Sequence, residues 1–125
     1  MAIQNILIVD DSPTERYYLT DILVKNGFNV TTAENGEEAL AKIKADKPQL
    51  ILMDVVMPGA NGFQVTRSIA RDPELANVPI IICSSKNQET DRIWGLRQGA
   101  RGYLVKPVNP QALLDKIAAL GEALA

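Results

Sequence analysis

Asn5-Ile6-Leu7-Ile8-Val9-Asp10-Asp11-Ser12-Pro13-Thr14-Glu15 decides the fold. Asn5 to Val9 is a short, almost wholly apolar run of strand length. Such runs suit strands buried on both faces of a parallel sheet. Two carboxylates follow at once, and then a helix start. Ser12 reads as the N-cap, Pro13 as the first helical residue and Glu15 as the reciprocal partner of a capping box. A buried strand, a pair of acids and a helix N-terminus in direct succession predict one strand–helix unit of an α/β sheet.

Working outward, the same unit recurs. Tyr18, Leu19, Ile22 and Leu23 continue the first helix at helical spacing, and Gly27 stops it. Residues 28–33 read as a second strand, with Val30, Thr31 and Thr32 favouring extension. Asn35-Gly36 opens a second helix that ends before Pro48, and Leu50 to Met53 form a third strand. The loop Met57-Pro58-Gly59-Ala60-Asn61-Gly62 leads to a helix over about 63–71. Pro79 to Cys83 read as the fourth strand, Gln88 to Gln98 as a helix closed by Gly99, and Gly102 to Val105 as the fifth strand. Asn109-Pro110 caps the last helix. Five strands alternating with five helices predict a doubly wound (βα)5 fold, with parallel strands joined by right-handed crossovers and helices on both faces.

The 125 residues suit one domain, and a content of 46% hydrophobic and 22% charged residues is ordinary for a globular chain. The net charge of −2 provides no basic footprint for nucleic acid. The N-terminus lacks the positive region of a signal peptide, and no apolar run reaches the ~20 residues that span a bilayer. The single cysteine, Cys83, lies in an apolar run and reads as a buried small hydrophobe. A cytoplasmic protein with no membrane partner is expected.

In open α/β sheets ligands bind beyond the carboxyl ends of the strands. There the sequence places Asp10 and Asp11 after strand one, Asp54 after strand three, Ser84 and Ser85 after strand four, and Lys106-Pro107 after strand five. Three carboxylates at one rim repel one another, and a hard divalent cation such as Mg²⁺ relieves that repulsion. Lys106 adds a positive charge and Ser84 a hydrogen-bond donor. Carboxylates, metal, ammonium and hydroxyl together make a phosphoryl-transfer set, with Asp54 as the nucleophile.

The chain resembles CheY-like response-regulator receiver domains over its whole length. The residues that carry the resemblance are Val9-Asp10-Asp11, Asp54-Val55-Val56-Met57-Pro58 with Gly62, Ser84, and Lys106-Pro107. Within that family it is similar to stand-alone, PilH-type regulators of chemotaxis-like pathways that control type IV pilus twitching motility. Leu7 to Glu15, Val56 to Gly59, Gln88 to Asp91, and Trp94-Gly95 through Gln98 to Arg101 carry this closer likeness. The resemblance implies a flavodoxin-like five-stranded sheet with strands in the order 2-1-3-4-5, and Asp54 as the phosphoacceptor. It implies Asp11, Asp54 and the Val56 backbone carbonyl as direct Mg²⁺ ligands, with Asp10 acting through water. Lys106 would pair with the phosphoryl group, and Ser84 and Tyr103 would reorient together as the switch. The Lys106-Pro107 bond would be cis. A CheA-like histidine kinase would be the phosphodonor, and a downstream motility or signalling protein would meet the surface of helix four, strand five and helix five. The expectation is a monomeric receiver over residues 1–125 with no output domain, performing only its own phosphorylation and dephosphorylation.

Two other readings fit less well. A phosphatase of the haloacid-dehalogenase type needs its second acid two residues after the nucleophile of strand one, where this chain has Ser12. A dinucleotide-binding domain needs a glycine-rich turn there, and Asp10-Asp11-Ser12-Pro13 would repel a pyrophosphate. A phosphate-sink receiver, or a binding module independent of phosphorylation, would share every residue above.

Overall fold

A computed structural model describes residues 3–57, 59 and 61–124. Pro58 and Ala60 of the predicted loop lie outside the described residues. The elements are β1 Asn5–Val9, α1 Pro13–Lys25, β2 Asn29–Ala33, α2 Gly36–Ala45, β3 Leu50–Met53, α3 Gly62–Arg71, β4 Ile80–Ser84, α4 Glu89–Arg97, β5 Gly102–Val105 and α5 Pro110–Leu124. All strand pairs are parallel, and the sheet order is β2-β1-β3-β4-β5. The chain therefore has the doubly wound parallel sheet that the alternating pattern predicts, in the flavodoxin-like strand order that the family resemblance implies.

The apolar strands divide their side chains by parity. Ile6, Ile8, Leu50, Leu52, Ile81 and Cys83 pack on one face with Leu19 and Leu23 of α1 and with Leu113 and Ile117 of α5. Leu7, Val9, Ile51, Met53 and Ile80 pack on the other with Ala39 and Ile43 of α2 and with Val65 and Ile69 of α3. Both faces of the central strands are covered, so the run of β1 shows no polar alternation. A third, smaller cluster of Val55, Ile82 and Ala100, with Phe63 and Tyr103 against it, lies at the α4 end of the sheet.

Helix α4 is held differently from its neighbours. Gly95 is its one buried residue, and Ile93, Trp94 and Leu96 are exposed. A methyl group on Gly95 would meet Ile82 Cδ1 at 2.8 Å, Tyr103 Cδ2 at 3.2 Å and Phe63 Cε1 at 3.3 Å. This glycine thus lets the helix backbone sit directly on the third cluster.

Several boundaries move by a residue. Helix α3 begins at Gly62, and β4 runs one residue further, to Ser84, which pairs with Val105 of β5. Ser84 therefore belongs to the sheet rather than to the loop. The predicted capping box of α1 forms only in half. Ser12 Oγ accepts from the Glu15 amide at 3.2 Å, but the Ser12 amide donates to Asp10 Oδ1 at 2.9 Å. The acid at the end of β1 has taken the donor that Glu15 would have used, and Glu15 Oε1 is left buried without a partner.

Candidate functional site

The sheet brings the predicted residues to one rim. Parallel pairing sets Val9 beside Met53, so the acids that follow each strand emerge side by side. The Asp54 amide donates to the Val9 carbonyl at 2.9 Å, and the Asp10 amide to the Ala33 carbonyl at 3.0 Å. These bonds extend the ladders into the acidic residues and fix where their side chains start. Asp10 and Asp54 are buried and Asp11 is exposed. One carboxylate oxygen from each of the three lies within 4.8 Å of the others.

Lys106 crosses from the end of β5 into this cluster. Its Nζ stands 2.7 Å from Asp10 Oδ2 and 3.2 Å from Asp54 Oδ1. Burial works to lower the ammonium pKa, but the hydrogen bond to Asp10 and the charges of Asp10 and Asp54 together raise it above the ordinary lysine value. The site therefore holds a firmly protonated lysine. Asp54 moves the other way from a typical paired acid. Burial, with the Asp10 charge adding to it, pushes its pKa above the usual carboxylate range despite Lys106. One ammonium does not neutralise the acids around it, and an oxygen-seeking divalent cation fits the remaining donor set.

Ser84 and Tyr103 meet at one residue of the β4–α4 loop. Ser84 is buried, and its Oγ accepts from the Lys86 amide at 3.1 Å. The Tyr103 hydroxyl donates to the Lys86 carbonyl at 2.9 Å. Burial pushes the tyrosine pKa up, so the phenol stays protonated as a donor. The serine hydroxyl thus points at the loop, and the half-buried Tyr103 ring is tied to the same peptide. Val56 is exposed on the loop after β3. Cys83, one strand residue before Ser84, is buried, and desolvation pushes its thiol up to about 12. It is packing and not chemistry.

The sequence pattern of the response regulator receiver domain matches residues 6–118. The chain belongs to the response regulator receiver family. It is 55% identical over 115 residues to protein PilH of Pseudomonas aeruginosa, covering 92% of this chain and 95% of that protein. It is 37% identical to the phosphate regulon transcriptional regulatory protein PhoB of the same organism, covering 96% of this chain and 52% of that regulator. The chain thus spans about half the length of that regulator. Among solved structures, the chemotaxis response regulator CheY4 of Vibrio cholerae superposes with a TM-score of 0.87 at 32% identity, covering 94% of this chain and 98% of that one. A CheY-like receiver domain protein of Methanospirillum hungatei gives a TM-score of 0.88 at 29% identity, covering 98% and 96%. As a receiver the chain is a signalling module of two-component systems, which implies a phosphodonor kinase and a downstream partner.

The receiver site also uses residues that the sequence reading missed. Arg16 Nη1 donates to the Asp10 carbonyl at 2.7 Å and Nη2 pairs with Glu34 at 3.3 Å. The Tyr18 hydroxyl donates to the Val108 carbonyl at 2.6 Å. Both lie on α1, where the sequence reading places Tyr18 only in the helical spacing and assigns Arg16 no role. Only their reach across to other loops reveals them. Gly62, already among the residues that carry the family resemblance, lies where a Cβ would meet the Asp54 main chain.

Proposed function

We propose that this receiver accepts a phosphoryl group on Asp54 from the phosphohistidine of a CheA-like kinase. An Asp54 carboxylate oxygen forms the new P–O bond as the P–N bond breaks and its electron pair leaves on the donor imidazole. The observation that carries this reading is the bridging of Asp10 and Asp54 by Lys106 at the end of the sheet. The ammonium is already placed to follow negative charge from the carboxylate to the incoming phosphoryl oxygens. Asp11, Asp54 and the Val56 carbonyl would hold Mg²⁺ directly and Asp10 through water, and the cation would supply further positive charge against that group.

Phosphorylation adds close to two negative charges and strong acceptor oxygens at Asp54. The Ser84 hydroxyl would leave the Lys86 amide and donate to a phosphoryl oxygen. Tyr103, tied to the same loop residue, would lose its outer anchor and turn inward. The surface of α4, β5 and α5 would then change. A cavity of about 360 Å³ on that surface is lined by Arg92, Leu96, Arg101, Tyr103, Leu104 and Lys116, with no carboxylate in its walls. The likeness to PilH supports a place in a chemotaxis-like pathway of type IV pilus twitching motility, with the receiver working as a cytoplasmic monomer.

Incubation with Mg²⁺ and a small acyl phosphate, followed by intact mass, tests the reading. A gain of one phosphoryl group, absent in Asp54→Ala, is expected. No gain in the unmodified protein overturns it.

A further inference from the structure

Helix α1 holds the Asp10 main chain and, two residues beyond Lys106, the main chain of Val108. Arg16 donates to the Asp10 carbonyl at 2.7 Å, and half a turn on, Tyr18 donates to the Val108 carbonyl at 2.6 Å. Lys106 itself is fixed upstream, where its amide donates to the Ser84 carbonyl at 2.8 Å. Downstream, only Pro107 separates it from Val108, and proline restricts the backbone rotation that could absorb movement there. The Tyr18 hydroxyl therefore acts on a short, stiff segment that carries Lys106. Tyr18 is 36% exposed, so its ring is not a filler of the core. The pairing spans 90 residues of sequence and adds a polar tie to a loop whose Val108 side chain is already buried in one cluster with Leu19 and Leu23 of the same helix.

We propose that Tyr18 is a positioning residue, which keeps the Lys106 ammonium on Asp10 and Asp54 by holding the loop after β5. The proposal rests on the reading of Asp54 as phosphoacceptor for its effect on rate, but not for its effect on cation binding. Lys106 and a divalent cation compete for Asp54, and Lys106 also holds Asp10, which would meet the cation through water. Loosening the loop removes a competitor, so the acids bind Mg²⁺ more tightly. It also withdraws the ammonium from the incoming phosphoryl group, so transfer slows. General loosening of the site would weaken both.

The test compares the unmodified protein, Tyr18→Phe, Lys106→Met and the double variant. Mg²⁺ titration is followed by the amide NMR shifts of residues 10–11 and 54–56, and phosphorylation by a small acyl phosphate is followed by intact mass. In Tyr18→Phe, transfer at saturating Mg²⁺ should slow about threefold to tenfold, the scale of one lost hydrogen bond. The half-saturating Mg²⁺ should fall. Neither change should appear when Tyr18→Phe is added to Lys106→Met, because the two act through one group. Unchanged Mg²⁺ binding in Tyr18→Phe, a raised half-saturation, or an undiminished effect in the Lys106→Met background overturns the proposal. If the unmodified protein takes up no phosphoryl group, the Asp54 reading fails on its own, and the Mg²⁺ titration still decides the role of Tyr18.

Discussion

Gly62 presses so closely on Asp54 that a methyl group at its Cα would stand 1.9 Å from the Asp54 carbonyl oxygen. The same methyl would lie 2.8 Å from the Asp54 carbonyl carbon and 2.9 Å from Val55 Cα, so main chain and not a flexible side chain is in the way. The Gly62 amide donates to the Val55 carbonyl at 2.8 Å, which fixes the start of α3 against the end of β3. Gly62→Ala is therefore expected to destabilise the fold by about 3 kcal/mol or more, since no rotamer can relieve a backbone clash. Chemical denaturation measures that loss. Where the variant folds, it should accept phosphoryl groups far more slowly, because Asp54 itself is displaced.

Asp54→Asn should stabilise the protein, and the gain should depend on pH. The folded state raises the Asp54 pKa, chiefly by burial and then by the Asp10 charge. Between the unfolded and folded values the native state binds more protons than the unfolded chain, so wild-type stability falls as pH rises through that window. Above it the full cost of the buried charge is present. Thermal unfolding should show the variant ahead by a few degrees at neutral pH, with the difference shrinking as pH falls through the raised folded value towards the ordinary carboxylate value and gone below it. A constant difference across that range would argue that the Asp54 charge is not responsible.

Val56→Asn is expected to shorten the life of the phosphorylated form. The Val56 side chain is 60% exposed on the loop that follows Asp54, where an apolar group discourages water from approaching the aspartyl phosphate. The exposed position leaves stability within about 0.5 kcal/mol of wild type. Loss of phosphate followed by intact mass checks the effect, and an unchanged lifetime would remove Val56 from the mechanism.

Gly95→Ala tests how α4 is seated. Alanine favours a helix over glycine by about 1 kcal/mol. The added methyl, however, lies within 3.3 Å of Ile82, Tyr103 and Phe63, and overpacking typically costs about 1–3 kcal/mol. Net destabilisation of about 1 kcal/mol is expected, with shifted NMR signals of the Tyr103 ring as the helix lifts. A stabilised variant with an unmoved Tyr103 would show that the cluster yields easily.

The order of strands and helices was legible in the sequence because buried parallel strands are apolar without alternation and because Pro13, Gly27, Asn35 and Gly99 mark element ends by local backbone chemistry. The rim residues Asp10, Asp11, Asp54, Ser84 and Lys106 were legible for a related reason, since polar groups at the carboxyl ends of such strands have one common destination. Tertiary structure alone decided their pairing. That Lys106 bridges Asp10 and Asp54, that Ser84 and Tyr103 share Lys86, and that Arg16 and Tyr18 hold two loops from α1 are contacts between distant segments. The cap of α1 turned on a local competition instead: Asp10 accepts from the Ser12 amide two residues on, in place of Glu15. Periodicity and turn chemistry act over a few residues and determined the elements, whereas side-chain partners depend on how the folded elements bring far residues within hydrogen-bond reach.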